Sequence, residues 1–204
     1  MYTTIKVVKN WGSIMERRHF LALWTLLFAP SLKAMSPMKP TPAQTEGPFY
    51  PVKRIPLREN LILQPDGLVG EPIVLQGRVV DTSGNPVFGI KVEIWQCDGQ
   101  GIYDHPNQSS NEKFDPHFAG FGAAITDKKG HYLFQTLYPV AYGSRPPHIH
   151  VKLWRGDKEL LTTQLYLKGN TGNEWWGGKA RDYLQFEPIK IDNRLTGEFT
   201  FVIT

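Results

Sequence analysis

The sequence predicts a mostly β protein, folded as a β-sandwich with long loops. Short apolar runs rich in β-branched and aromatic residues recur along the chain, which is typical of strands with one buried face. Clusters of Gly, Asn, Asp and Pro separate many of these runs, as turns between strands require. No segment after residue 35 shows sustained apolar spacing of 3.6 residues, so long amphipathic helices are not expected. Short strands at this spacing favour a sandwich.

Eight strands are predicted, joined in part by four recognisable turns. Two long segments, 98–120 and 168–184, interrupt this rhythm and are rich in Gly, Asn and aromatic residues. Because long loops on a rigid sandwich commonly carry functional residues, we expect these two to build the site. The predicted strands are 73–80, 90–97, 122–126, 131–135, 148–154, 161–167, 186–192 and 198–203, and the turns are 82–86, 127–130, 155–157 and 192–197.

Residues 1–34 have the features of an export signal. The uncharged stretch 19–32 is rich in Leu, Trp and Phe and is shorter than the ~20 residues that span a bilayer, so no stable membrane span is expected. Arg17 and Arg18 precede it as in a twin-arginine signal, with an ordinary secretory leader as the alternative. Met15 is a candidate start. Both interpretations place the body outside the cytoplasm, in the periplasm or the extracellular space.

The composition of the body excludes two classes of protein. Five of the 23 Lys and Arg residues and one of the 19 Asp and Glu residues precede Met35, which leaves 18 of each. A body of balanced charge lacks the basic face that nucleic-acid binding requires. Cys97 is the only cysteine, so no internal disulfide can form, and a small buried hydrophobe is its most common role.

Residues 35–60 form a proline-rich segment ahead of the sandwich, which we assign to residues 61–204. Six prolines fall in this segment, and proline disfavours both helix and central strand. The sequence therefore predicts an extended arm, which could pack on a neighbouring subunit.

His148 and His150 lie two residues apart at the start of a predicted strand. Alternate side chains of a strand face the same side, so both imidazoles can approach one point while Ile149 faces away. A lone pair of this kind is a weak signal, since structural and zinc-binding histidines share it.

The surrounding sequence carries a resemblance to a known family. Residues 132–142 (YLFQTLYPVAY) precede RPPHIH at 145–150, and GIKVEIWQCD at 89–98 leads to Tyr103. With TPAQTEGPFYP at 41–51 and LTTQLY at 161–166, these stretches resemble the intradiol ring-cleavage dioxygenases, especially the protocatechuate 3,4-dioxygenases. The resemblance covers nearly all of the body.

The resemblance implies a β-sandwich of the intradiol dioxygenase type and iron(III) as cofactor, with Tyr103, Tyr142, His148 and His150 as ligands. It also implies that Arg145 and Gln164 lie beside the substrate, and that Tyr142 acts as both ligand and base. Phenolate is a hard anionic donor suited to a hard ferric ion, and the metal's own charge is needed to ionise it at neutral pH. One departure is the six-residue step from Tyr142 to His148, which is shorter than in many relatives.

The activity implied is insertion of both atoms of O2 into a catechol-type ring to give a cis,cis-muconate-type diacid. Protocatechuate, catechol and hydroxyquinol remain open as substrates. The family often forms homo- or hetero-oligomers, and the sequence leaves the oligomeric state open.

Two other interpretations of the sequence compete with an intradiol dioxygenase. Residues 76–86 also resemble the opening of transthyretin-like binding modules, which would be non-catalytic. An iron(II) or copper oxygenase could use the two histidines, but it normally recruits a carboxylate or a third histidine. Colour separates the three, because only charge transfer from tyrosinate to iron(III) gives a red-brown protein.

Overall fold

The computed structural model describes residues 36–108, 113–171 and 178–204. The predicted export signal, residues 1–34, lies outside these ranges. Within them, no helix is long and apolar enough to cross a bilayer.

The described residues form nine strands in two sheets, one strand more than the eight predicted, and this confirms the predicted mostly β class. One sheet has four strands in the order β4-β1-β9-β8, and the other has five in the order β3-β2-β5-β6-β7. In the described part of the chain, a 3-10 helix, Gly178–Leu184, precedes β7. The strands are β1 Pro72–Asp81, β2 Lys91–Trp95, β3 Phe121–Ile125, β4 His131–Leu137, β5 His148–Arg155, β6 Lys158–Leu167, β7 Gln185–Phe186, β8 Ile189–Ile191 and β9 Arg194–Ile203.

One apolar core joins the two sheets. On β5 the core residues Ile149, Val151 and Leu153 are all buried. They alternate with the histidines, Lys152 and Trp154, which therefore occupy the opposite face of the five-stranded sheet. This outer face carries the site. Cys97 is also buried, and burial raises the pKa of its thiol to about 12, which confirms its assignment as a small hydrophobe.

The prediction of one strand over 186–192 is wrong. Phe186 in β7 pairs with Leu167 in the five-stranded sheet, whereas Ile189–Ile191 pairs with β9 in the other sheet. Pro188 lies between them and has no N–H to continue a ladder, so the chain changes sheets there. The turn predicted over 192–197 is also shorter. Asp192 and Asn193 have positive φ angles of 47° and 63°, as a two-residue hairpin turn requires.

The proline-rich arm lies along its own chain, without a regular strand of its own between residues 36 and 60. The amide of Thr41 donates to the Val202 carbonyl, and that of Gln44 donates to the Thr162 carbonyl. Further on, the Arg58 amide donates to the Ala123 carbonyl on β3. The arm thus crosses the outer face of the five-stranded sheet, where residues 45–50 overlie the histidines.

Candidate active site

The two histidines lie side by side on the outer face of β5. They are 1% and 2% exposed, and their Nε2 atoms are 3.1 Å apart. The indole of Trp95, which is opposite His150 on β2, stacks on that imidazole with ring centres 4.7 Å apart. The strand thus presents two nitrogen atoms to one point, in ring orientations that packing fixes.

Hydrogen bonding and burial define the protonation of this pair. The Nδ1 of His148 lies 2.6 Å from the Pro146 carbonyl, to which it donates, so its Nε2 carries a free lone pair. Burial lowers the pKa of His148 to about 4, and the Arg145 charge adds to this effect. Burial also holds the pKa of His150 well below its usual value. Both imidazoles are therefore neutral at pH 7, the form that binds metals.

Tyr103 reaches the site from the first long loop, which Asp98 organises. The buried Asp98 carboxylate accepts hydrogen bonds from the amides of Gln100, Ile102 and Asp115. Ile102 immediately precedes Tyr103, so these bonds fix the backbone from which the tyrosine projects. The Tyr103 ring is 4% exposed, and burial raises the pKa of its phenol well above 10.

Asp98→Ala is expected to lower the free energy of unfolding by about 3 kcal/mol, because three N–H groups around a buried carboxylate lose their acceptor. Chemical denaturation measures the change. The matched control is Asp127→Ala, since Asp127 also accepts two backbone amides but in an exposed turn. Water can replace that acceptor, so the control should lose clearly less; equal losses would contradict the role given to Asp98.

A tight turn closes the short step between Tyr142 and His148. The amide of Arg145 donates to the Tyr142 carbonyl at 2.9 Å, and Gly143 takes a positive φ of 52°. The turn brings Tyr142 back toward His148, with ring centres 5.7 Å apart. Tyr142 is only half-buried; burial raises its pKa, and the Arg145 charge partly opposes that rise.

The four predicted ligand residues form a closed set of neighbouring rings. Ring centres are 5.1 Å apart for Tyr103 and Tyr142, 5.7 Å for Tyr142 and His148, and 6.1 Å for Tyr103 and His150. Within the described residues, the buried hydroxyl of Tyr103 has no hydrogen-bond partner. Leaving such a group unsatisfied costs about 1–3 kcal/mol, which a bound cation would remove.

This donor set fits a ferric ion. The Nε2 atoms of the two imidazoles are 3.1 Å apart, so both can bind one ion. The two phenols add hard oxygen donors. Among the described residues, no group of three or more His, Cys, Asp and Glu is arranged to hold a metal, so the tyrosines are what complete this set.

Gln164 holds Arg145 beside the histidines. It pairs with His150 across β5 and β6 and is 1% exposed. Its Oε1 accepts from Arg145 Nη2 at 2.6 Å and from the Tyr166 hydroxyl at 2.8 Å, while its Nε2 donates to the Thr45 carbonyl at 2.7 Å. Both polar atoms of the Gln164 side chain are therefore hydrogen-bonded within the protein. Gln164 acts on the site by holding the Arg145 guanidinium.

Comparison with known proteins decides the family. A family model described as a dioxygenase matches residues 45–173, which include all four ring residues, Arg145 and Gln164. The chain belongs to the intradiol ring-cleavage dioxygenase family.

Relatives in this family and one solved structure agree with that assignment. The chain is 40% identical over 111 residues to the protocatechuate 3,4-dioxygenase beta chain of Burkholderia cepacia, covering 50% of this chain and 47% of the relative. It is 32% identical over 150 residues to a catechol 1,2-dioxygenase of Pseudomonas sp. strain EST1001, covering 64% and 48%. The chain spans about half the length of these curated relatives. A dioxygenase domain from Streptomyces sp. SirexAA-E, fused in its full protein to a carbohydrate-binding part, superposes with a TM-score of 0.66 at 30% identity, covering 80% and 97%.

Three residues of this intradiol dioxygenase site are absent from the sequence-based prediction. Phe49 stacks on Tyr103 with ring centres 4.4 Å apart. Tyr166 pairs with His148 across the sheet, and the buried guanidinium of Arg181 lies 5.0 Å from its ring. Tyr166 could have been found, because it follows Gln164 by two residues on one strand and so shares its face. Arg181 comes from the 3-10 helix Gly178–Leu184, at the end of the segment 168–184 that is expected to contribute to the site, but no spacing pattern singles it out. Residues 172–177 of that segment lie outside the described residues.

Proposed function

We propose that this chain is an iron(III)-dependent intradiol dioxygenase that converts a catechol-type substrate and O2 to a cis,cis-muconate-type diacid. The main support for this proposal is that two buried imidazoles and two phenols lie together, and that the buried hydroxyl of one phenol has no hydrogen-bond partner among the described residues. Family membership supports the assignment and does not favour a transthyretin-like binding module.

Tyr103, Tyr142, His148 and His150 would hold the iron. When bound, the iron would act as a Lewis acid that activates a catechol ring toward dioxygen. Of the two tyrosines, Tyr103 is buried and rigidly packed, whereas Tyr142 is half-buried on a tight turn. Tyr142 is therefore the one that a substrate can reach. If Tyr142 is ionised as an iron ligand would be, its Oη can take up a phenolic proton from the substrate, and burial, which raises its pKa, favours the protonated product.

Arg145 would stabilise the negative charge that develops on the ring. Its guanidinium is held by Gln164 at 2.6 Å and its charge reaches the phenol of Tyr142 and both histidines. A preorganised cation at a site shielded from water acts without reorganisation cost.

Arg145→Gln is expected to lower kcat about 100-fold, since loss of one such electrostatic group typically costs 10²–10³. Iron content should stay unchanged, because Arg145 is not a ligand. Steady-state oxygen uptake with iron quantification measures both. The matched control is Arg155→Gln, which removes an exposed arginine at the far end of β5, the strand that follows Arg145. Loss of iron equal to the loss of rate would contradict a role in charge stabilisation.

The reaction itself is tested with isotopic oxygen. Iron-loaded protein is incubated with catechol, protocatechuate or hydroxyquinol under 18O2, and the product is examined by mass spectrometry. The substrate range is suggested by relatives named for these three compounds. The expected product is opened between the two hydroxyl-bearing carbons and carries both labelled atoms. Cleavage outside those carbons, or no product from any of the three compounds, would contradict the proposed activity.

We further propose that the chain is exported, on the strength of residues 1–34. Expression of the full chain and of a variant with Arg17→Lys and Arg18→Lys, followed by fractionation, separates the routes. Loss of export in the double variant indicates the twin-arginine pathway, and unchanged export indicates an ordinary secretory leader. Retention of both proteins in the cytoplasm would contradict export.

A further inference from the structure

A row of buried charges continues the site along the outer face of the five-stranded sheet. Lys152 follows His150 by two residues on β5, and Glu93 is opposite Lys152 on β2. They are 4% and 3% exposed. Burial of charge is costly unless each group is paired. Lys91 on β2 pairs with Glu93 at 2.9 Å, and the segment that covers the row supplies further partners.

The arm supplies part of that match. Glu46 forms a salt bridge with the Lys152 ammonium. Four residues later, the Tyr50 hydroxyl donates to Glu93 Oε2 at 2.9 Å, and the Lys152 Nζ lies 4.0 Å from the centre of the Tyr50 ring. Trp154 Nε1 also donates to Glu93, at 2.7 Å. The arm is thus fixed at two points, residues 46 and 50, to the same two buried side chains.

The three residues between these points lie against the site. At Gly47, whose φ is +77°, a Cβ atom would meet His150 Cε1 at 3.4 Å and Nε2 at 4.0 Å. Phe49 stacks on Tyr103 at 4.4 Å and lies 5.6 Å from Tyr142, measured between ring centres. The segment 47–49 is therefore a wall of the candidate metal centre.

We infer that Lys152 and Glu93 are positioning residues, which hold the arm so that residues 47–49 form this wall. We call the contacts Glu46–Lys152 and Tyr50–Glu93 the arm clamp. The inference rests on the proposed function for its catalytic consequence, but the clamp itself exists without metal. When it is released, the wall loosens, Tyr103 loses a fixed stacking partner, and the space beside Tyr142 changes shape. The clamp thereby sets how tightly a substrate is bound.

The test variant combines Glu46→Gln with Tyr50→Phe. Glu46 is 43% exposed, and Lys152 keeps Glu159 at 3.4 Å, so no buried ammonium is left unpaired. The aromatic ring at position 50 is retained, and none of the four predicted ligands is changed. The matched control is Glu187→Gln, which breaks the exposed ion pair with Lys168.

Hydrogen exchange in the metal-free protein is the first readout. The Gln44 amide, which donates to Thr162, should exchange at least about 10-fold faster in the double variant, and at the wild-type rate in the control. Amides of β1 should not change in either. Unchanged exchange at Gln44 would overturn the clamp, whatever the iron-loaded protein does.

The iron-loaded protein gives the second readout. A shifted visible band together with a raised KM and little change in Tm would support positioning. Faster exchange at Gln44 with an unaltered visible band and KM would overturn the positioning role. The arm clamp would then only stabilise the fold. A wild-type protein with no iron-dependent band would count against the proposed function, while exchange at Gln44 would still decide the clamp.

Discussion

Tyr103→Phe is expected to bind iron(III) more than about 100-fold more weakly than the wild-type chain and to lose its visible band. Removal of a residue that only hydrogen-bonds to a metal ligand typically lowers metal affinity 10–100-fold. Tyr103→Phe removes a predicted ligand itself, so a larger loss is expected. The Tyr103 hydroxyl is buried and has no partner among the described residues, so phenylalanine fills the same space at no cost in hydrogen bonding. The metal-free variant should therefore be as stable as the wild type, or more so.

Competition with a chelator measures the affinity, and thermal unfolding of the metal-free proteins measures stability. Tyr138→Phe is the matched control. Tyr138 packs at the edge of the main core, only four residues before Tyr142, and is not a predicted ligand. It should keep full affinity and the visible band. Equal iron binding by the Tyr103 and Tyr138 variants would contradict the ligand assignment.

The second large effect is acid destabilisation of the metal-free protein. Burial lowers the pKa of His148 from 6.5 to about 4. Because the folded-state pKa is depressed, the neutral imidazole leaves the free energy of unfolding at its full value above pH 6.5. That free energy decreases as the pH falls from 6.5 toward 4. The shift corresponds to roughly 3 kcal/mol from His148 alone, and His150 adds to it in the same direction.

Urea unfolding of metal-free protein at pH 7 and at pH 4 measures this loss. In His148→Gln the fall in stability between the two pH values should shrink by about 3 kcal/mol. The matched control is His131→Gln, because the His131 side chain is 51% exposed. The control should not show a decrease of this size. If the His148 variant keeps the wild-type pH dependence, its imidazole is not buried in its neutral form.

Local patterns in the sequence were sufficient for the sandwich and for the strand that carries the two histidines. Alternation along residues 148–154 predicted that both histidines share a face, and the structure confirms it, with Ile149 in the core. That Tyr103 and Tyr142 would join them followed from the family resemblance. No spacing rule relates residues in a loop to a strand some 45 positions later.

Long-range placement is what the sequence did not reveal. The prolines of residues 35–60 predicted an extended arm, but not that it would cross its own sheet and bring Phe49 onto Tyr103. The path depends on Lys152 and Glu93, whose burial becomes evident only when the arm lies over them. The change of sheet at Pro188 was likewise missed, because the apolar pattern over 186–192 is continuous across the proline.

The visible absorption spectrum of the purified body, with iron quantified and then with catechol or protocatechuate added in the absence of oxygen, tests the central claim most directly. The site described here predicts a red-brown band from tyrosinate-to-iron(III) charge transfer, with about one iron per chain, and a shift of that band when one of the two compounds binds. A colourless protein that holds its full complement of iron would contradict it.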